Sequence, residues 1–223
     1  MGEMTTIEMN DGFALGAYTA SPEHGKAKGV IVVIQEIFGV NGHIKEVADG
    51  YASHGYMSIA PALFDRIEPD VQLGYTEADM GRGIELAFQG LQMDRTLQDL
   101  QSVVDYAAAH GSVGVVGYCF GGLLTYLSAA SISGVAAASS YYGGGVAGVL
   151  EQQPMCPLIM HFGELDAHIP MSDVEKIKAA NPNVPVHVYA ADHGFNCDHR
   201  GSYDAAAASV ALERSLAHFA AHL

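Results

Sequence analysis

Short apolar segments alternate with longer amphipathic segments through most of the chain. Several of the short segments are too continuously apolar to leave one face in solvent, which is typical of buried parallel strands. Two earlier segments, 5–8 and 13–18, flank the turn sequence Asn10-Asp11-Gly12 and predict a β-hairpin. The further predicted strands are Gly29–Gln35, Tyr56–Ala60, Val113–Gly117, Val135–Tyr141, Leu158–Phe162 and Val184–Tyr189.

The longer segments have the period of amphipathic helices. In one of them Leu97, Leu100 and Val104 recur at intervals of three and four and form an apolar stripe. Helices that alternate with strands predict an α/β protein, with a mostly parallel central sheet and helices on both faces. No repeat or linker interrupts the alternation, so we expect a single domain over residues 1–223. The predicted helices are Ile44–His54, Met80–Leu91, Met93–His110, Gly121–Ser131, Met171–Ala180 and Tyr203–His222.

A cysteine lies where a predicted strand turns into a helix. In the sequence GYCFG, residues 117–121, glycines two positions before and two after Cys119 let strand and helix pack closely around a strained turn. The positive end of the helix dipole favours the thiolate, which is the reactive form of cysteine. We therefore expect Cys119 to be a nucleophile rather than a buried structural cysteine.

A thiol nucleophile needs a base and an acid that orients the base. In sheets of this kind both follow later strands, with the acid first along the chain. Asp166 follows the predicted strand 158–162, and His193 follows the predicted strand 184–189. We expect Asp166 to fix the tautomer of His193 and to balance the imidazolium charge, with Glu164 as a rival acid.

The first long strand ends in QEIFG, residues 35–39, a position from which such folds supply one backbone N–H to an oxyanion hole. We expect Ile37 to donate this N–H, and Phe120, directly after the nucleophile, to donate the second. Glu36 ends a hydrophobic strand beside the expected site. We expect its carboxylate to hold the resting thiol by a hydrogen bond rather than to be an ordinary exposed acid.

Four segments, QEIFG, GYCFGG, GELDAHIP and DHGF, closely resemble in order and spacing the dienelactone hydrolase (carboxymethylenebutenolidase) family. The pairing of the first two is specific, because common α/β-hydrolases carry serine at the turn and an HGGG-type loop. The resemblance implies an α/β-hydrolase that cleaves a lactone or carboxylic ester without a metal or organic cofactor. It also implies a triad of Cys119, Asp166 and His193, with Glu36 pairing with the thiol until substrate binds.

The resemblance extends to substrate binding. Phe38 and Phe195 match motif positions that would line the pocket with aromatic rings, although core packing is an alternative. Family members that cleave dienelactone bind its free carboxylate with two arginines. Arg82 lies in the first region, whereas Cys197 stands where the second is expected and Arg200 is the nearest arginine. Ester or lactone hydrolysis is therefore better supported than cleavage of dienelactone itself.

The charge and composition of the chain disfavour several classes of binding partner. Ten basic and 25 acidic side chains give a formal net charge of −15, which disfavours binding to nucleic acid or anionic lipid. No apolar run approaches the ~20 residues of a membrane span, no signal peptide is visible, and three unpatterned cysteines suit a reducing compartment. We expect a cytoplasmic monomer or homodimer that acts on a small-molecule lactone or ester.

Two other classes of function stay open. His193, Cys197 and His199 have side chains that bind zinc, which would make the protein a metal-dependent hydrolase. Their spacing matches no common closed zinc site, and this interpretation gives Cys119 no role. The second alternative is a non-catalytic module that binds a small molecule on the same fold.

Overall fold

One eight-stranded sheet runs through the described part of the protein, residues 2–223 of a computed structural model. Its strands are β1 (Glu3–Glu8), β2 (Ala14–Ala20), β3 (Val30–Ile34), β4 (Met57–Pro61), β5 (Val113–Tyr118), β6 (Val135–Tyr141), β7 (Leu158–Gly163) and β8 (Val186–Tyr189). They lie in the order β1-β2-β4-β3-β5-β6-β7-β8. The pairs β1–β2 and β2–β4 are antiparallel and the rest are parallel, which confirms the predicted hairpin and the mostly parallel sheet.

Helices cover both faces of the sheet, as the alternation predicted. The α-helices of the described residues are α1 (Gly42–Ser53), α2 (Glu77–Glu85), α3 (Met93–Ala108), α4 (Phe120–Ser131), α5 (Met171–Ala180) and α6 (Ala205–His222). On one face α1 and α6 pack together, with the rings of Tyr51 and Phe219 6.0 Å apart. On the other face α3 and α4 pack against the central strands and against each other.

The central strands are buried because their sequence is apolar on both faces. All five residues of β3, with the sequence VIVVI, have no exposed surface. Successive side chains of a strand point to opposite faces, so burial of every residue requires a helix layer on each side. The buried apolar side chains of residues 2–223 form one contiguous core. Among the helices in this range, none combines the length and the apolar composition that crossing a membrane requires.

The predicted helix over residues 80–91 differs most from the structure. It begins earlier, because the Thr76 hydroxyl accepts a hydrogen bond from the Asp79 N–H and the Asp79 carboxylate accepts one from the Thr76 N–H. This capping box fixes the start of α2 at Glu77. The α-helix ends at Glu85, and a π-helical turn, Leu86–Gly90, continues it.

The carboxyl ends of the parallel strands meet at one edge of the sheet, where open α/β sheets place their ligand sites. Glu36 follows β3 and Cys119 follows β5 directly. Asp166 and His193 follow β7 and β8. The topology thus gathers residues that are far apart in the chain.

Candidate active site

Cys119 lies at a sharp corner between β5 and α4. Its backbone has φ 56° and ψ −114°, a conformation that is strained for any residue with a side chain. A Cβ atom on Gly117 would lie 2.1 Å from the carbonyl oxygen of Gly121, and one on Gly121 would lie 2.4 Å from the carbonyl oxygen of Ile34. The two glycines therefore allow the close packing that holds the half-buried Cys119 side chain at the corner, as the sequence predicted.

The structure brings the predicted base and acid to this cysteine. His193 Nε2 lies 3.1 Å from Cys119 Sγ, and His193 Nδ1 lies 2.7 Å from Asp166 Oδ2. The other carboxylate oxygen of Asp166 accepts hydrogen bonds from the backbone N–H groups of His168 and Ile169, at 2.7 and 3.1 Å. These contacts fix the buried carboxylate and, through it, the orientation of the imidazole. The rival acid, Glu164, is exposed to solvent.

The contacts of His193 with Asp166 and Cys119 favour the protonated form of its ring, the imidazolium. Burial by itself lowers the pKa of His193, but the hydrogen bonds with Asp166 and Cys119 outweigh burial and raise the pKa to about 10. The ring therefore carries a proton at neutral pH. A positive charge 3.1 Å from Cys119 Sγ stabilises negative charge on the sulfur.

Glu36 is fully buried, but it does not make the contact expected from the sequence. Neither of its carboxylate oxygens has a hydrogen-bond partner within residues 2–223, whereas Cys119 Sγ contacts His193. The predicted hydrogen bond to the resting thiol is therefore wrong for this conformation, because the sulfur is directed to the charged imidazole instead. Burial raises the pKa of Glu36, and the positive charges of Arg200 and His193 partly oppose that rise.

Comparison with known proteins agrees with this geometry. The sequence model described as "Dienelactone hydrolase family" matches residues 15–223. The chain belongs to the dienelactone hydrolase family. It is 37% identical over 225 residues to a putative carboxymethylenebutenolidase of Synechocystis sp., covering 92% of this chain and 91% of that protein. It is 34% identical to a carboxymethylenebutenolidase of Pseudomonas putida, covering 96% of this chain and 94% of that protein.

Solved structures of hydrolases are also similar to this chain. A putative dienelactone hydrolase from Klebsiella pneumoniae superposes with a TM-score of 0.88 at 29% identity, over 99% of this chain and 98% of that one. An esterase from Pyrococcus furiosus, 15% identical, has a TM-score of 0.65 over 99% of this chain and 91% of that one, and shows the shared fold alone. As a dienelactone hydrolase family member, the chain has the α/β-hydrolase fold and is a hydrolase of ester or lactone bonds.

Two residues are expected to form the oxyanion hole of a dienelactone hydrolase, Ile37 and Phe120. Phe120 is the first residue of α4, so its N–H is among the helix amides that have no acceptor within the helix. Ile37 is buried in the loop after β3, next to Glu36. The donation of these two N–H groups to a substrate oxygen stays a prediction.

The two arginines expected to bind substrate are both paired with carboxylates. Arg82 is partly exposed on α2 and forms ion pairs with Glu68 and, at 2.7 Å, with Glu85. Arg200 reaches back toward the sheet, with Nη1 3.6 Å from Glu36 Oε1. Because nearby carboxylates already balance each guanidinium, neither presents an uncompensated charge to a substrate carboxylate, and their roles in binding stay predictions.

The aromatic residues expected at the site lie deeper than a pocket lining requires. Phe195 has no exposed surface, and its ring lies 5.2 Å from those of Tyr142 and Tyr189. Phe38 is 1% exposed and packs edge-on against Tyr75 at 4.7 Å. The geometry therefore favours the core-packing alternative for both phenylalanines.

Two aromatic residues near the site were missed by the sequence analysis. Phe88, on the π-helical turn after α2, is 61% exposed, and its ring lies 5.5 Å from that of Phe120. Tyr142 has a positive φ of 35°, and its ring lies 5.1 Å from that of His193. The position of Tyr142 directly after β6 was a usable signal, because strand ends form this edge. Phe88 has the sequence signature of an ordinary exposed helix position.

The zinc-hydrolase alternative required His193, Cys197 and His199 to share one centre, and they do not. Both ring nitrogens of His193 already have partners, Nδ1 in Asp166 Oδ2 and Nε2 in Cys119 Sγ. The buried Cys197 thiol donates a hydrogen bond to the Tyr75 hydroxyl at 3.2 Å, and His199 Nε2 lies 2.7 Å from Glu46 Oε2. The side chains diverge because the loop after His193 turns between them, so this alternative is not favoured.

Proposed function

We propose that this dienelactone hydrolase family member cleaves a lactone or carboxylic ester by attack of the Cys119 thiolate on the carbonyl carbon. One observation carries the proposal: a sulfur at a strained strand–helix corner lies 3.1 Å from an imidazole whose other nitrogen lies 2.7 Å from a buried carboxylate. An activated nucleophile, a base and an orienting acid are the parts that acyl transfer requires.

The reaction follows from these positions. Attack of the thiolate forms a carbon–sulfur bond and moves the carbonyl π electrons onto oxygen, where the N–H groups of Ile37 and Phe120 stabilise the oxyanion. Collapse of this intermediate breaks the carbon–oxygen ester bond, and the leaving oxygen takes the proton held by His193. Neutral His193 then removes a proton from water, which attacks the thioester. The acid is released, and the imidazolium and thiolate are restored.

Asp166 and Glu36 have different roles in this scheme. Asp166 holds the His193 ring in place, and two backbone N–H bonds to its second oxygen fix the carboxylate. Glu36 lies near the positive charges of Arg200 and His193, but its carboxylate makes no hydrogen bond to the Cys119 sulfur. We therefore propose that Glu36 adjusts the charge balance of the site.

The substrate is proposed to be a small uncharged ester or lactone. The two candidate arginines are already paired with carboxylates, and the exposed ring of Phe88 offers an apolar surface next to Phe120. Such a surface favours an apolar substituent rather than the free carboxylate of dienelactone. A cytoplasmic location and a monomeric or homodimeric state stay predictions.

Replacement of the nucleophile tests the proposal. Cys119→Ala is expected to reduce hydrolysis of an aryl ester by at least about 10³-fold, as loss of a nucleophile does in acyl-transfer enzymes. Cys156→Ala, which removes a half-buried thiol packed against the core, is the matched control and should retain wild-type rates. Mass spectrometry of quenched wild-type protein should find the acyl group on Cys119.

Two results would count against the proposal. If Cys119→Ala hydrolyses the ester as fast as wild type, the thiol mechanism is wrong. If neither protein hydrolyses aryl esters, simple lactones or dienelactone, the non-catalytic binding module is the better interpretation.

A further inference from the structure

A second group of ligand-type side chains lies outside the proposed triad, between α1 and the loop after His193. It consists of His43 and Glu46 on α1 and Asp198 and His199 on the loop. One nitrogen or oxygen of each side chain lies within 4.8 Å of those of the other three. We propose that these four residues bind a divalent transition-metal ion of the zinc type.

The distances within this group suit a single ion. His199 Nε2 lies 2.7 Å from Glu46 Oε2 and 3.8 Å from Asp198 Oδ1, and His43 Nδ1 lies 3.6 Å from Asp198 Oδ1. Ligands at about 2.0–2.1 Å from a tetrahedral zinc ion are about 3.3 Å apart. The three distances lie on both sides of that value, so small rotations of exposed side chains complete a tetrahedron.

The burial of His43 and its unpaired ring nitrogen are an independent indication that a ligand binds here. Its side chain is 4% exposed, and its buried Nε2 has no hydrogen-bond partner within residues 2–223. A ring nitrogen of His43 also lies within 4.8 Å of ligand atoms of the buried Glu36 and Cys197. A proton on the unpaired Nε2 leaves the lone pair of Nδ1, which lies 3.6 Å from Asp198 Oδ1, free to face the metal.

An ion can reach this position from solvent. A cavity of about 380 Å³ opens beside the group and is lined by His43, Glu46 and Asp198, among others. The Glu46 and Asp198 side chains are 60% and 58% exposed, so they can adjust around an ion at little cost in packing.

The donor set indicates which ions should bind. Two imidazoles and two carboxylates suit Zn²⁺, Co²⁺ or Ni²⁺ better than Mg²⁺ or Ca²⁺, which prefer all-oxygen sites. Because the four residues come from two segments, a bound ion would fasten the loop to α1. The same loop carries Arg200, which faces Glu36. The inferred role of the ion is therefore structural, and it is independent of the proposed hydrolysis.

Titration of the metal-free full-length protein tests the site. The Cys119→Ser substitution removes the thiol that lies 3.1 Å from His193 Nε2, so that Zn²⁺ cannot bind there by a thiolate. Calorimetry should show one Zn²⁺ per chain, and Co²⁺ should give the visible absorption of a tetrahedral complex. Zn²⁺ at 100 times its Kd should reduce the equilibrium constant for unfolding about 100-fold, since a ligand that binds only the folded state stabilises it in this proportion.

Variants locate the ion. His199→Ala and Glu46→Gln change partly exposed side chains, so both should fold, and each should weaken Zn²⁺ binding by at least about 10-fold. The matched control is His222→Ala, which removes a histidine pair outside the proposed site, where the rings of His218 and His222 are 4.8 Å apart on α6. This control should bind Zn²⁺ as tightly as its parent.

The opposite results would overturn the proposal. These are the absence of one-to-one binding, unchanged affinity in both His199→Ala and Glu46→Gln, or loss of binding in His222→Ala, which would indicate an adventitious ion on α6. Every readout is binding or stability, so a failure here leaves the hydrolytic mechanism standing. Likewise, an inactive Cys119→Ala protein does not decide whether the metal binds.

Discussion

Replacement of Asp166 by asparagine changes one hydrogen bond of the site without changing its shape. The oxygen that accepts the N–H groups of His168 and Ile169, at 2.7 and 3.1 Å, must remain an oxygen, because an amide NH2 cannot accept them. In Asp166→Asn the NH2 group therefore faces His193 Nδ1. That nitrogen must then accept a hydrogen bond, and the ring proton moves to Nε2, opposite Cys119 Sγ.

The balance of effects on the His193 pKa then changes. The bond to Asp166 is one of the interactions that raise the pKa of His193 to about 10, against the opposing effect of burial. Without it, burial favours the neutral ring, which cannot take the thiol proton because Nε2 already has one. The corresponding change in a Ser-His-Asp triad reduces kcat roughly 10⁴-fold. A thiol ionises more readily than a hydroxyl, so we expect a loss of about 10³-fold in kcat/KM, or about 4 kcal/mol.

The assay is the pH dependence of kcat/KM for an aryl ester. A raised imidazole pKa means that the imidazolium is present below about pH 10 and is lost above it, so wild-type activity should fall as the pH rises through about 10. In Asp166→Asn this alkaline limb should move to lower pH. The matched control is Glu164→Gln at the exposed rival acid, which should leave the profile unchanged. If Asp166→Asn stays within tenfold of wild type, or Glu164→Gln causes the loss instead, the assignment of the orienting acid is wrong.

Three further outcomes are expected. Gly117→Ala should destabilise the fold by about 3 kcal/mol in urea unfolding, because its Cβ would lie 2.1 Å from a carbonyl oxygen of α4. Arg200→Met removes a positive charge 3.6 Å from buried Glu36, so the Glu36 pKa rises further and about 2 kcal/mol of stability should be lost at pH 7, but little at pH 4. Iodoacetamide should modify Cys119 before Cys156, since burial raises the pKa of the latter thiol to about 11.

Each of these outcomes can fail in a definite way. A Gly117→Ala protein as stable as wild type would mean that the corner is not sterically fixed. For Arg200→Met, the sign follows from a carboxyl whose folded pKa lies above its usual 4.5: stability falls as the pH rises past that value, and a loss that is equal at pH 4 and pH 7 would contradict the charge argument. Peptide mapping that finds Cys156 modified first would contradict the predicted activation of Cys119.

The sequence predicted that the candidate nucleophile, base and acid would meet, because each is marked locally. Cys119 lies between two glycines at a strand–helix junction, and Asp166 and His193 each follow a predicted strand. Parallel strands bring their carboxyl ends to one edge whatever the details of packing, so position along the chain was enough to predict that these residues meet. The mostly parallel sheet was predictable for the same reason, from buried strands whose apolar pattern is continuous.

The errors concern the directions of side chains. The sequence placed Glu36 near the sulfur, but only the tertiary structure shows Cys119 Sγ directed to His193 and Glu36 without a hydrogen bond. For Phe195 the sequence left pocket lining and core packing open, and packing against tyrosines from other parts of the chain buries it fully. Such directions depend on neighbours that are distant in the chain.

The sequence alone determined the succession of strands and turns along the chain, and with it the tight corner at Cys119, because propensity and glycine placement act over a few neighbouring residues. The tertiary structure alone decided which partners meet across long separations. The zinc alternative placed His199 in one centre with His193, six positions away, but His199 lies beside Glu46, 153 positions away. A hydrogen bond or an ion site depends on distances of a few ångströms between side chains, and only the packing of α1 against the loop after β8 sets those distances.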